Sequence, residues 1–412
     1  LVDGPARVHL LSGKASVLGA LIESGEEIIV RKGKRLPLEP LCVSRVELTL
    51  GDSASYAEKE GSSIPLSWRN TVNRILSEKG PKTVLILGGV DSGKTSFCTY
   101  LANLALNAKY RVAMIDGDPG QSDIGPPGTI SLSLVKQPII NLFRSKPEML
   151  VFIGVTSPSK EIGAIFEALG TLKDEASKKG ANLLIINTDG WVEGEGAVDY
   201  KVRLVKTIAP NIVVAIQNEN ELASILSELS GVEAHTVDSP KEVKKRDRET
   251  RKLLRESAYK KHLREAKVRS FPSSWIEIDG DLTLGTENRP ELKSRIEEII
   301  GTKVLHCEET SNYILFFLGR QTRLREEELM KLEAELGKKA VSLHEGEEEG
   351  ILVAMENADG KVLGIGTIHS VDYEKRTIRI CTPVQEAVSK IRVGRIKLDR
   401  EGNEIGWMLE SL

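Results

Sequence analysis

Five short apolar segments alternate with segments of helical character between residues 83 and 216, and they form the clearest pattern in the chain. They are predicted to be strands at residues 83–87, 111–115, 149–153, 181–187 and 211–216. Strands that are apolar throughout are typical of a parallel sheet that is buried on both faces. Their alternation with helices predicts an α/β fold with a mostly parallel, doubly wound central sheet.

The regions on either side of this pattern are rich in shorter strands. Near the N-terminus, β-branched residues are separated by Gly and charged residues, which is typical of a small sandwich or barrel. These strands are predicted at residues 7–11, 15–21, 27–31 and 44–50. Near the C-terminus, strands are predicted at residues 351–355, 362–370 and 377–383, and helices at 291–300 and 324–336. We therefore predict an N-terminal β-rich domain (1–62), a central domain (63–270) and a C-terminal β-rich, α+β domain (271–412).

The composition is that of an ordinary globular protein. Hydrophobic residues make up 40% of the 412 residues and charged residues 28%. No apolar run approaches the ~20 residues of a membrane-spanning helix, and the N-terminus lacks the pattern of a signal peptide. The four cysteines are too far apart for a disulfide framework or a cysteine-based zinc site, and they are Cys42, Cys98, Cys307 and Cys381. A cytoplasmic protein without membrane association is expected.

Charge is distributed unevenly along the chain. The net charge is -3, yet residues 241–269 contain 13 Lys and Arg against 5 Asp and Glu. Such a basic segment predicts an anionic partner, although a solvated basic helix explains the charge equally well. Within it, Arg251 and Arg255 are four residues apart and share one face of a predicted helix. Arginines of this kind can close over a nucleotide or contact a nucleic-acid backbone.

Residues 88–95 follow the pattern G-x4-G-K-S/T between a predicted strand and a helix predicted at 94–108. In this setting, backbone N–H groups and the helix N-terminus bind phosphate oxygens. Lys94 reaches the β- and γ-phosphates, and the Thr95 hydroxyl coordinates Mg²⁺. The predicted nucleotide-binding residues are Gly88, Gly89, Val90, Asp91, Ser92, Gly93, Lys94, Thr95 and Ser96.

Two carboxylates, Asp116 and Asp118, come directly after the next predicted strand. Side chains at the carboxyl end of a neighbouring parallel strand face the phosphate loop. There they can hold Mg²⁺ or accept a proton from an attacking hydroxyl, and the pattern does not separate the two roles. The alternative is an Asp-Gly turn that only ends the strand.

Two classes of P-loop protein are disfavoured. A guanine-specific GTPase carries an N/T-K-x-D element after a later strand, and residues 216–220 (Ile-Gln-Asn-Glu-Asn) lack its Lys and Asp. Partition ATPases have a Lys directly after the first Gly of the loop, where this chain has Gly89.

A tryptophan follows the fourth predicted strand, in the sequence Thr188-Asp-Gly-Trp191. At the carboxyl edge of the sheet, an exposed Trp191 can stack on a nucleic-acid base. The alternative is a tryptophan that packs under a loop.

These elements together resemble the P-loop polynucleotide 5′-hydroxyl kinase family, and its archaeal branch most of all. The resemblance rests on residues 88–95, 116–121, 122–128 and 154–158, on Thr188-x-Gly-Trp191 and on Arg251-x3-Arg255. It continues into the C-terminal region at 364–366 and 390–395, so it covers nearly the whole chain.

The resemblance implies that ATP and a 5′-hydroxyl end, of RNA more than of DNA, give ADP and a 5′-phosphate end. It implies that Lys94 holds phosphates, that Asp118 deprotonates the hydroxyl with support from Gln121, and that Thr95, Asp116 and Asp118 hold Mg²⁺. The central domain is then a kinase domain with a basic lid at 241–269.

The resemblance also implies how the nucleic acid is bound. Trp191 stacks on the terminal base, and the remaining nucleic-acid contacts come from Thr188, Gly190, Arg248 and Arg251. Arg251 and Arg255 clamp either the transferred phosphoryl group or the phosphate on the 3′ side. The N-terminal domain is expected to enclose the base of ATP, and RNA-processing proteins are the expected protein partners. Two rival hypotheses are an ATP-bound scaffold of an RNA-processing complex without turnover and a partition-type ATPase.

Overall fold

The computed structural model describes residues 1–280, 289–309 and 313–407. The chain divides into two units, Leu1–Ala258 and Tyr259–Leu412. The first unit contains both the N-terminal strands and the α/β region, and the three-domain division stays a prediction. None of the described helices has the length and apolar character that a membrane crossing requires.

The first unit begins with short, mostly antiparallel strands, as predicted. They are β1 (Val2–Asp3), β2 (Ala6–Ser12), β3 (Lys14–Val17), β4 (Ala20–Glu23), β5 (Glu27–Val30), β6 (Arg35–Leu36), β7 (Glu39–Pro40), β8 (Arg45–Leu50) and β9 (Ser55–Tyr56). They form the sheets β6-β1-β9, β5-β2-β8 and β4-β3-β7 around one apolar cluster. The single strand predicted at 15–21 is wrong, because Leu18 and Gly19 both have positive φ and form a tight hairpin turn between β3 and β4.

The α/β region alternates strands and helices. Its elements are α1 (Leu66–Ser77), β10 (Lys82–Gly88), α2 (Lys94–Asn107), β11 (Val112–Gly117), β12 (Thr129–Val135), β13 (Met149–Phe152), α3 (Ile162–Lys178), β14 (Leu183–Thr188), α4 (Ala197–Ile208), β15 (Ile212–Gln217), α5 (Ala223–Ser227), β16 (Glu233–Asp238) and α6 (Arg248–His262). The strand order is β13-β12-β11-β14-β10-β15-β16.

The central sheet is mostly parallel, which confirms the predicted fold class. Strands β11, β14, β10, β15 and β16 run parallel, whereas β12 and β13 pair antiparallel at one edge. The strand predicted at 149–153 is therefore present but antiparallel, and β12 and β16 were not predicted. Strands β11, β14 and β10 are parallel neighbours in the sheet. Their carboxyl ends therefore lie at the same edge of the sheet, where the loops of the site begin.

The described part of the second unit is β-rich and contains both of the helices predicted for the C-terminal region. Its elements are β17 (Lys267–Pro272), β18 (Glu277–Gly280), α7 (Pro290–Ile300), β19 (Val304–Glu309), β20 (Tyr313–Leu318), α8 (Glu326–Leu336), β21 (Lys339–His344), β22 (Ile351–Glu356), β23 (Val362–Asp372), β24 (Thr377–Thr382), β25 (Lys390–Leu398) and β26 (Glu404–Trp407). One sheet has the order β17-β24-β23-β22-β25-β18, with β26 beside β25, and the other has the order β19-β20-β21. Within the basic segment 241–269, α6 carries Arg251 and Arg255 as predicted, and β17 begins at Lys267.

Candidate active site

The phosphate loop, residues 88–95, connects β10 to α2. Asp91 and Gly93 have φ values of 54° and 100°, so the chain reverses through the left-handed region before α2 begins. A Cβ at Gly93 would lie 3.2 Å from Pro240 and 3.3 Å from Trp68, which leaves little space for a side chain there. The reversal places the first turn of α2, including Thr95 and Ser96, directly after the loop. This is the geometry that presents helix N–H groups to an anion.

Lys94 folds back over the loop that precedes it. Its Nζ donates hydrogen bonds to the carbonyl oxygens of Gly88 at 2.8 Å and Gly89 at 2.6 Å. Burial lowers the pKa of Lys94 to about 8, although the Asp118 carboxylate opposes that shift. The ammonium is therefore held in place at the loop, where phosphate oxygens can replace the two carbonyls.

Two donors near the loop are buried and have no partner among the described residues. They are the hydroxyl of Ser92 and the Nε of Arg251. A buried polar group without a hydrogen bond is costly, and phosphate oxygens are strong acceptors that can satisfy such donors. The donor set at the loop therefore fits a bound nucleotide.

Asp116, at the carboxyl end of β11, is held by a full set of donors. Its Oδ2 accepts hydrogen bonds from the backbone N–H of Asp123 at 2.7 Å, and at 3.3 Å from the N–H of Ile124 and the hydroxyl of Ser122. Its Oδ1 accepts one from the amide of Asn187 at 3.0 Å. Burial raises the pKa of this carboxyl. Asp116 therefore shapes the loop at 122–124, and its metal-binding role stays a prediction.

Asp118 differs from Asp116 because one of its oxygens is open. Its Oδ1 accepts backbone N–H groups of Gly120 at 2.9 Å and Gln121 at 3.0 Å, and no hydrogen bond from a described residue reaches Oδ2. Burial, reinforced by the Asp189 carboxylate and opposed by Lys94, raises the pKa of Asp118 to about 7. A carboxylate with this pKa and a free oxygen can accept the proton of a hydroxyl at neutral pH.

Gln121 lies beside this carboxylate. Its backbone N–H donates to Asp118, and its side-chain amide donates to the carbonyl of Gly120 at 2.7 Å. The structure thus brings Gln121 to the predicted place, and its supporting role stays a prediction.

The lid arginines contact the phosphate loop through Asp91. Arg251 donates from Nη2 to Oδ2 of Asp91 at 3.0 Å, and Arg246 donates from Nη1 to Oδ1 at 3.2 Å and from its backbone N–H to Oδ2 at 2.9 Å. Arg248 is exposed at the start of α6, and Arg255 is half-buried one turn after Arg251. Arg246 was not among the predicted site residues, although it lies in the basic segment.

The loop between β5 and β6 also contributes charges, which were not predicted from the sequence. Lys34 donates to both carboxylate oxygens of Asp123 at 2.8 Å, and Arg31 donates to Oδ1 at 3.3 Å. Burial alone would raise the pKa of Asp123, but the two cations lower it below its usual value. The backbone of Asp123 in turn supports Asp116. Arg31 and Lys34 therefore brace Asp123 and, through its backbone, Asp116.

The Trp191 loop, residues 188–191, follows β14. The hydroxyl of Thr188 donates to the carbonyl of Ile86 on β10 at 2.7 Å. A Cβ at Gly190 would lie 2.8 Å from the backbone N of Val90, so glycine permits close approach to the phosphate loop. Trp191 is half-buried, because its ring stacks on Tyr200 at a centroid distance of 5.1 Å, and its stacking role stays a prediction. Asp189, the second residue of the motif Thr188-Asp-Gly-Trp191, is buried and was not among the predicted site residues.

The fold and this site define a phosphotransferase of the P-loop class, with a buried carboxylate and basic residues beside the loop. The family model described as the mRNA cleavage and polyadenylation factor CLP1 P-loop matches residues 88–265. The polyribonucleotide 5′-hydroxyl-kinases of Methanocaldococcus jannaschii and Pyrococcus furiosus are each 30% identical to this chain, over 352 and 350 residues. These matches cover 84% and 83% of this chain and 95% of each relative. The chain belongs to this kinase family.

A solved structure supports the fold independently of close sequence similarity. Wild-type Clp1p in complex with Pcf11p has a TM-score of 0.66 to this chain at 13% identity, and the match covers 96% of this chain and 97% of that one. This likeness confirms the architecture.

Proposed function

We propose that this protein is an ATP-dependent kinase that transfers the γ-phosphate of ATP to the 5′-hydroxyl end of RNA. The observation that carries the proposal is the open oxygen of Asp118, with its pKa near 7, beside a phosphate loop that holds Lys94. Family membership supplies the reaction class, and this carboxylate supplies a group that can start it.

The transfer needs few chemical steps from the protein. The 5′-oxygen attacks the γ-phosphorus while Oδ2 of Asp118 takes the hydroxyl proton, and the bond to the bridging oxygen of ADP breaks. Lys94 and the N–H groups of the phosphate loop stabilise the charge that develops on the phosphate oxygens. Arg251 and Arg255 lie on the helix that contacts the loop, where they can neutralise charge on the transferred group.

A magnesium ion is the metal that this donor set fits. The described residues contain no group of three His, Cys, Asp or Glu side chains able to hold a metal by themselves. Magnesium in such sites keeps waters and phosphate oxygens as ligands and needs only one or two protein oxygens. The Thr95 hydroxyl and the carboxylates of Asp116 and Asp118 are the proposed contributors. Bound there, the ion would neutralise phosphate charge.

The 5′ end of the RNA is proposed to bind at the Trp191 loop. Gly190 brings this loop against the phosphate loop at Val90, so a base stacked on Trp191 would lie near the transferred phosphate. Arg248 is exposed and can contact the backbone of the strand. RNA is favoured over DNA because the archaeal relatives are named polyribonucleotide kinases.

Two further proposals concern the cellular compartment, which we propose is the cytoplasm, and a protein partner. All four cysteines are free thiols, which suits a reducing cytoplasm. The similar Clp1p was solved in complex with a segment of Pcf11p, and we propose that this chain also has an RNA-processing protein partner.

The test is transfer of labelled γ-phosphate from ATP to RNA and DNA oligonucleotides of equal sequence that end in a 5′-hydroxyl. An oligonucleotide with a 5′-phosphate and the Lys94→Ala protein serve as controls. Label on the 5′-hydroxyl RNA alone, or on RNA faster than on DNA, is the expected result. ATP binding without transfer would overturn the kinase proposal in favour of a scaffold, and ATP hydrolysis independent of the 5′-hydroxyl would favour a partition-type ATPase.

A further inference from the structure

An ion pair is buried directly behind the Trp191 loop. Nζ of Lys201, on α4, lies 2.9 Å from Oδ1 of Asp189, and their side chains are only 0% and 3% exposed. The same Nζ donates to the backbone carbonyl of Asp189 at 3.0 Å. The Asp189 carboxylate contributes to the raised pKa of Asp118, but that effect does not require its hydrogen bonds to the Trp191 loop and α4.

Asp189 collects donors from both sides of the tryptophan. Its Oδ1 accepts the backbone N–H of Trp191 at 2.9 Å, and its Oδ2 accepts the hydroxyl of Tyr200 at 2.7 Å. With Lys201 as the third donor, one carboxylate connects the backbone of Trp191 to two neighbouring residues of α4. The position of the Trp191 backbone therefore depends on α4.

The ring of Trp191 is held through the same carboxylate. Tyr200 stacks on Trp191 with 25° between the ring planes, and Phe166 stacks on the other side of Tyr200 at a centroid distance of 5.7 Å. Asp189 holds the hydroxyl of Tyr200, which fixes the far end of the middle ring. One face of Trp191 is thus occupied by Tyr200, and a base that stacks on Trp191 would use the opposite face.

Stability alone explains this arrangement poorly. A buried ion pair has to overcome the loss of hydration of both charges, and well-packed apolar residues in its place are often equally stabilising. What a buried pair with additional hydrogen bonds supplies is a defined geometry. Here the ion pair and its hydrogen bonds hold the loop of Trp191, whose half-buried ring lies beside the phosphate loop.

We propose that Asp189, Tyr200 and Lys201 are positioning residues that orient Trp191 for stacking on the 5′-terminal base of the RNA. The inference rests on the proposed function, because it needs an RNA end at the Trp191 loop. It extends that function by assigning base recognition to a network that reaches through α4.

The test compares Lys201→Met with Lys206→Met, which removes an exposed lysine from the same helix. For Lys201→Met, we expect the KM for a 5′-hydroxyl RNA to rise about 10-fold, within the range set by loss of one base stack. The KM for ATP should stay within twofold. At pH 8.5, above the pKa of Asp118, kcat at saturating RNA should fall less than threefold. A purely structural role would reduce the fraction of active protein, which lowers kcat and leaves both KM values unchanged.

A second variant covers the case in which Lys201→Met does not fold. Tyr200→Phe keeps the ion pair and the ring stack but removes one donor to Asp189, and the KM for RNA should rise about threefold, less than for a lost stack. An RNA KM within 1.5-fold of wild type in Tyr200→Phe, or equal values in folded Lys201→Met and Lys206→Met, would overturn the inference. Wild-type protein that transfers no phosphate to RNA would instead refute the proposed function itself.

Discussion

The phosphate loop and the Trp191 loop follow neighbouring strands, β10 and β14, but they are held in different ways. The phosphate loop is shaped by its own backbone, since Gly93 is left-handed and Lys94 bonds to carbonyls five and six residues earlier. The Trp191 loop depends on Tyr200 and Lys201, two side chains of the following helix. The loop for the triphosphate is therefore largely local in origin, whereas the loop for the terminal base is a product of tertiary packing.

The largest effect is expected from Lys94→Ala, which tests the phosphate-loop side of this comparison. Loss of the ammonium removes charge stabilisation at the transferred group, so kcat/KM should fall at least ~10³-fold. Labelled phosphate transfer measures the effect, and circular dichroism checks the fold. Activity within tenfold of wild type would mean that Lys94 only braces the loop.

Asp118→Asn should lower kcat about 10²- to 10³-fold, as is typical for loss of a general base. The wild-type enzyme should also lose activity as the pH falls through about 7, because protonation of the raised-pKa carboxyl removes the base. The measurement is kcat against pH at saturating ATP and RNA.

Asp116→Asn provides the matched comparison for that experiment. Because Asp116 already accepts four hydrogen bonds, its replacement should disturb the loop at 122–124 and reduce stability together with activity. An Asp118→Asn enzyme that keeps the wild-type kcat, and whose kcat still falls as the pH drops through about 7, would exclude Asp118 as the general base.

Trp191→Ala tests the other loop. Loss of one base stack should raise the KM for RNA by about 5- to 100-fold, and the KM for ATP should change little. Initial rates with each substrate varied in turn separate the two values. Equal increases in the KM for RNA and the KM for ATP would show that the two loops act as one structural unit.

The smallest effect is expected on stability, and Asp118 again provides it. Its pKa is raised in the folded state, so the contribution of this carboxyl to stability is full below its unfolded pKa and is lost as the pH rises through about 7. The neutral Asp118→Asn protein should therefore have a Tm about 2–4 °C above wild type at pH 8.5. At pH 5.5 the difference should shrink, and a constant difference at both pH values would contradict the assigned pKa.

Local sequence patterns predicted the parts of this protein that depend on neighbouring residues. Apolar runs and glycine spacing act over a few residues. They predicted the buried strands, the phosphate loop and the carboxylates at the end of β11. Strands β12 and β16 were not predicted, because a strand is stabilised by pairing with partners elsewhere in the chain, here β11 for β12 and β15 for β16. The same holds for the hairpin turn at Leu18, where a single β-rich run hid two strands.

Short motifs of fixed spacing were enough to predict the family, the P-loop fold and the pair of candidate carboxylates from the sequence alone. Only the tertiary structure separated Asp116 from Asp118, by giving one a full set of donors and the other an open oxygen. It alone brought Lys34 to Asp123 and Lys201 to Asp189. Electrostatics and burial act through space, so the charges that tune this site come from residues that the sequence keeps apart.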